Sequence, residues 1–537
     1  MLQLVLGKYW FLPPETLGFI RVHPCRSVAN SVFVSQREEA PPMTTSTVRV
    51  VLNPHVRPLT APRNEGSTWL APLLTSLLAT ILLLAGARHA WTHLQAALAF
   101  SLIAIPCFAY AGWRQIRRTH IPLFAVLAAA HTVFYGVSIF WTGILAQSEP
   151  RTATAVLAMA NLGLIGLFIG IEMTSRIRRL HLPDVPADIH DWSLIRLIAA
   201  CQIFVPFLPV GTGGDFRQVI VIFLSFIPVV AFLILWDAAL RGQATPIDKA
   251  LVIVFLASSI LAGLAQGWLG GCVGNLVLAG IAYIRVRRKL PILSAAALIL
   301  IMLFLQGGKA AFRERYWYRD ENAGALAKAA FWIEASAERL NSRIGLQSRD
   351  DTLQDALQAL LTRSSVVKES ATVYENTPSL VPYQYGATYR YLLITLIPRF
   401  LWPNKPSVND ANRFYQLAYG ITQQQDLDHV AIGAGLIPEA YMNFGWFGIP
   451  AVMCLAGVVL GVFERMFLSR DAGVFASAVG LAYVLQLLAL NGQAAAYFGG
   501  MIQIVGLTIL IFLPGLRFPK RTGQLRWRLR ALPGAIQ

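Results

Sequence analysis

The chain has 537 residues, of which 55 % are apolar and 14 % charged, with a formal net charge of +17 and a mean hydropathy of +0.54. Soluble domains carry about 25 % charged residues, so this composition excludes an ordinary water-soluble protein and leaves room for roughly a dozen spans of about 20 residues. The positive charge is not a nucleic-acid footprint, because the basic residues cluster in short loops between apolar runs; no nucleic-acid partner is expected.

Residues 1–67 are Pro-rich and weakly patterned, and read as a flexible cytoplasmic tail. Lys8, Pro13, Pro14 and Glu15 break its apolar residues, so it makes a poor signal peptide, and Met43 offers an alternative start. Apolar runs follow at about 68–87, 89–112, 121–146, 154–174, 193–210, 218–240, 250–267, 270–286, 290–307, 436–463, 472–490 and 499–516. This predicts an all-α polytopic membrane protein with about twelve transmembrane helices: nine within 68–307, a polar segment at 308–435, three more within 436–516, and a basic tail at 517–537. The five cysteines form no CxxC pair, so neither a disulfide framework nor a zinc site is expected.

Short loops rich in Lys and Arg stay on the cytoplasmic side. Arg114 to Arg118, Arg176 to Arg179, Arg285 to Lys289, Arg241, Lys249, Arg465, Arg470 and the C-terminal tail all fall on one side of the twelve-span count. Both termini are then cytoplasmic and the 308–435 loop is extracytoplasmic. Within the spans, His131, Glu172 and Asp237 read as packing or helix-end residues rather than an ion relay. No matching pair of broken helices marks an inverted-repeat transporter.

The long loop is charge-balanced and opens on Lys309, Phe312, Arg313 and Tyr316 at helical spacing, followed by Arg315 and Arg319. This stretch serves either as a charged helix end with interfacial aromatics or as an anion site, because Arg binds phosphate in a bidentate fork. Residues 323–361 are amphipathic and predict scaffold helices. Tyr374, Tyr383, Tyr385, Tyr389 and Tyr391 suit either an interface or the apolar faces of sugars. In Ile397 to Pro406 the prolines preclude a helix interior, so the segment reads as a rigid piece presenting Arg399 and Lys405. Pro438 to Gly448 then sets Glu439 and Asn443 at the mouth of the tenth span. The Asp426/Asp428 pair is too isolated to count as a metal site, and neither metal nor cofactor is expected.

Ile397–Pro406, the Tyr383–Tyr391 stretch and Glu439–Gly445 together resemble the oligosaccharide repeat-unit polymerases, the O-antigen or exopolysaccharide polymerase (Wzy-type) family, over roughly residues 300–465. The resemblance implies a lipid-donor (GT-C-like) glycosyltransferase of the bacterial inner membrane. Its substrate would be a polyprenyl-diphosphate-linked oligosaccharide, with membrane lipid around it and a chain-length-regulating co-polymerase as a further partner. It implies a diphosphate clamp of Arg399 and Lys405 with Arg313, Arg315 or Arg319, and sugar contacts from Tyr383, Tyr385, Tyr389, Trp402 and Asn443. Glu439 is the first candidate for a base and His429 the second. A ligase of related architecture and a flippase for lipid-linked glycans remain the alternatives.

Overall fold

The computed structural model describes residues 69–518, except 208–224, 345–365, 398–401, 428–431 and several shorter stretches. The expected tail at 1–67, most of the tail at 517–537, and Arg399, Asp426, Asp428 and His429 lie outside the described residues. Among those described there is no β-strand. Two isolated bridges, Thr119 with Ser469 and Asp184 with Arg517, tie loops together.

Each of the twelve apolar runs contains a helix, and among the described residues eight helices are long and apolar enough to cross a membrane. These are α2 (His93–Ile116), α3 (Leu123–Thr142), α4 (Pro150–Met173), α7 (Pro246–Ala265), α8 (Leu269–Arg287), α9 (Ile292–Arg313), α14 (Leu436–Phe467) and Ala495–Gly515, whose main part is α16 (Gly500–Phe512). The other four are α1 (Leu70–Ala85), α5 (Ser193–Cys201), α6 (Ile227–Arg241) and α15 (Val474–Leu487), with 16, 9, 15 and 14 residues. These are shorter apolar helices, and the stretch 208–224 between α5 and α6 lies outside the described residues.

Helix α9 runs through Lys309 to Arg313 and continues as a π turn over Glu314–Tyr318, so the basic start of this segment is helical, as its spacing predicts. Gly308 is not a helix stop. A Cβ there would press on the Ser336 amide and the Trp332 carbonyl of α10 (Ala325–Ile344), so this glycine lets the two helices touch. Trp332 is fully buried beneath the contact and donates its indole N–H to the Leu305 carbonyl at 2.9 Å. Phe312, Tyr316 and Trp332 form a hydrophobic cluster separate from the main core.

The main core is built on α4 against α14. Gly166 and Gly170 of α4 face Pro450, Cys454 and Gly457 of α14, while Gly457 and Gly461 face Leu167, Ile171 and Thr174 in return. Side chains at these positions would meet backbone at most of the contacts. Small residues four apart on both helices bring two backbones into direct packing, the main source of helix association where the surroundings are already apolar. Two of the ionisable groups singled out in the spans, His131 and Asp237, make bonds one turn away on their own helices. His131 bonds its Nδ1 to the Leu127 carbonyl at 2.8 Å, and Asp237 pairs with Arg241 one turn on.

Three helices of the polar segment, α11 (Val367–Asn376), α12 (Arg390–Leu396) and α13 (Asp410–Ala418), pack into this bundle. Val367, Ser370, Ala371 and Val373 of α11 are buried, and Thr152 of α4 donates to Glu375 at 2.8 Å. The segment thus closes over one end of the α4–α14 pair.

Candidate functional site

The site grows from a break in α14. Gly445 has φ 65° and ψ −154°, a conformation essentially reserved for glycine. It divides the helix into a first piece at 436–444 and a second that continues to Phe467. The last carbonyls of a helical piece lack partners within it. Here the 384–386 turn supplies them: Gln384 N–H donates to the Met442 carbonyl and Tyr385 N–H to the Asn443 carbonyl, both at 3.1 Å. Positive φ at Tyr385 (46°) and Gly386 (90°) curls this turn so that successive N–H groups face the break. The Tyr383 ring lies against Gly445, where a Cβ would come within 3.1 Å of its hydroxyl oxygen.

The first piece is buried from Leu436 through Asn443. Glu439, with no exposed surface, accepts from the Thr388 hydroxyl on Oε1 at 2.8 Å and from the Ala494 N–H on Oε2 at 2.7 Å. Asn443 lies one turn on. Its Nδ2 donates to the Thr388 hydroxyl and to the Glu439 carbonyl, each at 2.8 Å, and its Oδ1 accepts from Gly386 N–H at 2.9 Å. Three chain segments meet at these two side chains: the start of α14, the stretch from Gln384 to Thr388, and the chain at Ala494.

Among the described residues, six buried oxygens of the polar segment and of the 493–494 segment have no hydrogen-bond partner. They are the Tyr389 and Tyr415 hydroxyls, Asn412 Oδ1, Gln416 Oε1, Gln493 Oε1 and Glu369 Oε2. Gln493 donates its Nε2 to the Ala411 carbonyl of α13 at 3.2 Å, which ties the 493–494 segment to that helix. Ala411, Tyr415 and Gln416 make up the buried face of α13. Burial, and after it the charge of Glu439, holds the Tyr389 phenol well above its ordinary pKa, so it keeps its proton. Burial raises the Glu369 carboxyl above the usual carboxylate range. Four of the six oxygens can only accept while Glu369 is ionised. Buried acceptors require donors.

The structure brings Glu439, Asn443 and Tyr389 together and sets Tyr383 and Tyr385 against the α14 break. Tyr385 and Trp402 are exposed. Lys405 is buried, and its Nζ donates to the Ile397 carbonyl at 2.6 Å, closing the ends of the segment that carries Arg399. Arg313, Arg315 and Arg319 lie on the α9–α10 side. Arg313 stacks over Trp317 at 4.5 Å, Arg315 pairs with Glu321 at 2.5 Å, and Arg319 pairs with Glu314 at 3.3 Å. Sequence reasoning missed Thr388, Gln493 and the buried face of α13. Gln493 sits in a loop marked only by its lack of basic residues, and Thr388 is hidden among tyrosines. Arg390 was missed too; it directly follows Tyr389, and its guanidinium lies over the Tyr391 ring and donates to its hydroxyl at 2.9 Å.

A family model described as a domain of unknown function, DUF8712, matches residues 147–467. No curated protein and no solved structure matches the chain. The matched segment contains the whole α4–α14 pair, with Gly386, Thr388, Glu439 and Asn443, and ends before Gln493 and Ala494.

Proposed function

The chain belongs to the DUF8712 family, and from the site built into the matched segment we propose that it is a membrane glycosyltransferase polymerising polyprenyl-diphosphate-linked oligosaccharide repeat units at the outer face of a bacterial inner membrane. One observation carries this reading. Two of the stretches on which the resemblance to the polymerases rests, 383–391 and 439–445, are hydrogen-bonded to each other through Thr388, Gly386, Glu439 and Asn443. Motifs 51 residues apart in sequence form one buried site.

In this reading the hydroxyl of an incoming lipid-linked unit attacks the anomeric carbon of the growing chain. The bond from that carbon to the diphosphate oxygen breaks, the carrier diphosphate leaves as the anion, and the hydroxyl proton passes to Glu439. Thr388 and the Ala494 amide orient that carboxylate; the unpartnered oxygens of Tyr389, Asn412, Gln416 and Gln493 receive sugar hydroxyls. Arg399 takes the diphosphate, with Arg390, which follows Tyr389, as a second cation. Preorganised donors of this kind are each worth about 10²–10³ in rate.

The test is reconstitution of the purified protein in liposomes with lipid-linked repeat units. Longer glycans on the carrier support a polymerase. Transfer to a different acceptor identifies a ligase, and translocation with no change in mass identifies a flippase; either overturns the polymerase assignment.

A further inference from the structure

Away from the α14 site, a cleft of about 530 Å³ opens between the C-terminal ends of α6 and α8. Trp236, Ala239 and Leu240 form one wall, Tyr283 and Arg287 the other, and Lys289 stands just past the end of α8. The Trp236 indole is fixed by donating to the Ala279 carbonyl at 3.0 Å, which makes it a rigid wall. Arg287 and Lys289 are exposed, and no ion pair holds either among the described residues. The nearby Asp237 is already bonded to Arg241 at 2.5 Å and so does not neutralise them.

We propose that this cleft binds the phosphate headgroup of an anionic phospholipid, with Arg287 and Lys289 on the phosphate and Trp236 and Leu240 against the glycerol and upper acyl chain. Basic pockets between spans at the cytoplasmic surface hold acidic headgroups. This cleft joins two cations to an apolar wall at the end of a helix long enough to span the bilayer. The assignment is independent of the glycosyltransferase reading.

The full-length protein, purified and placed in nanodiscs of phosphatidylcholine with a graded fraction of phosphatidylglycerol, tests it by native mass spectrometry of retained lipid. The expected result is a retained phosphatidylglycerol that R287A/K289A weakens roughly thirtyfold, each basic side chain contributing about fivefold at a lipid surface. K289E, a single change at an exposed position, gives a loss of the same sign and guards against misfolding of the double variant. K249A, on the first turn of α7 at the same end of the bundle, leaves retention unchanged. Equal retention by R287A/K289A and wild type overturns the proposal. So does a loss in K249A as large as that in R287A/K289A, which marks general surface charge. Saturation by inorganic phosphate in pure phosphatidylcholine discs, at the same apparent affinity, overturns the lipid as the ligand.

Discussion

The Thr388 hydroxyl donates to the Glu439 carboxylate at 2.8 Å across 51 residues of sequence, and both side chains are buried. The same hydroxyl accepts from Asn443, so a threonine from the polar segment stands between the two polar side chains of the first piece of α14. This is one of several links between the segment and the spans, beside those of Gln384, Tyr385 and Gly386 to the same piece of α14.

If Glu439 takes the proton from the attacking hydroxyl, E439Q keeps the shape of the site and removes its base. Elongation of lipid-linked units should fall by about 10²–10⁴, with the protein still present in the membrane. Glycan length on gels, set against protein level by immunoblot, checks this. Full-length polymer from E439Q would restrict Glu439 to holding segments together.

Asn443 bridges three groups, and N443A leaves the Gly386 N–H without its acceptor in a buried site. A buried polar group stripped of its partner costs about 1–3 kcal/mol, so the melting temperature in detergent should drop measurably. N443A at wild-type stability would mean that the 384–386 turn does not rest on this amide.

Gly445 allows no ordinary residue at φ 65°, ψ −154°. G445A should destabilise by about 1–3 kcal/mol through backbone strain, beyond the crowding of its Cβ against Tyr383. Y383A relieves only the crowding, so G445A/Y383A should recover part of the lost stability. Full recovery would show that crowding, not strain, dominates.

On the α4–α14 contact, G457L puts a branched side chain against the backbone of Leu167 and Gly170. Overpacking costs about 1–3 kcal/mol or more, and folded protein on size exclusion should be sharply reduced. G280L, at a position with open space around a Cβ, should leave the yield unchanged.

Burial raises Glu369, so the folded state favours its protonated form. The stability tied to this group is full below the ordinary glutamate pKa and declines as pH rises through the raised folded value. E369Q fixes the neutral form. At pH 7–8 it should melt at or above the wild-type temperature, with a flatter dependence of melting temperature on pH across the acidic range. A variant with the wild-type slope would assign that dependence to another group.

The apolar runs, and the interruption between the ninth and tenth, were legible because lipid-facing surface demands continuous apolar sequence. The polar residues at the start of α14 were legible for the complementary reason: Glu439 and Asn443 stand out against apolar neighbours. The contacts that join Thr388 and Ala494 to Glu439, and Trp332 to Leu305, were not legible. In each case the outcome depends on what packs beside the backbone rather than on local composition.

By itself the sequence determined an all-helical chain with membrane-spanning character, and which polar side chains stand at the mouth of α14. Tertiary structure alone decided that Thr388 and Ala494 meet them, that Gln493 bonds α13, that Lys405 closes a segment, and that Arg315 and Arg319 are paired elsewhere. The physical reason is range. Burial of apolar surface leaves a periodic trace along the chain, whereas a hydrogen bond between residues more than fifty positions apart leaves none.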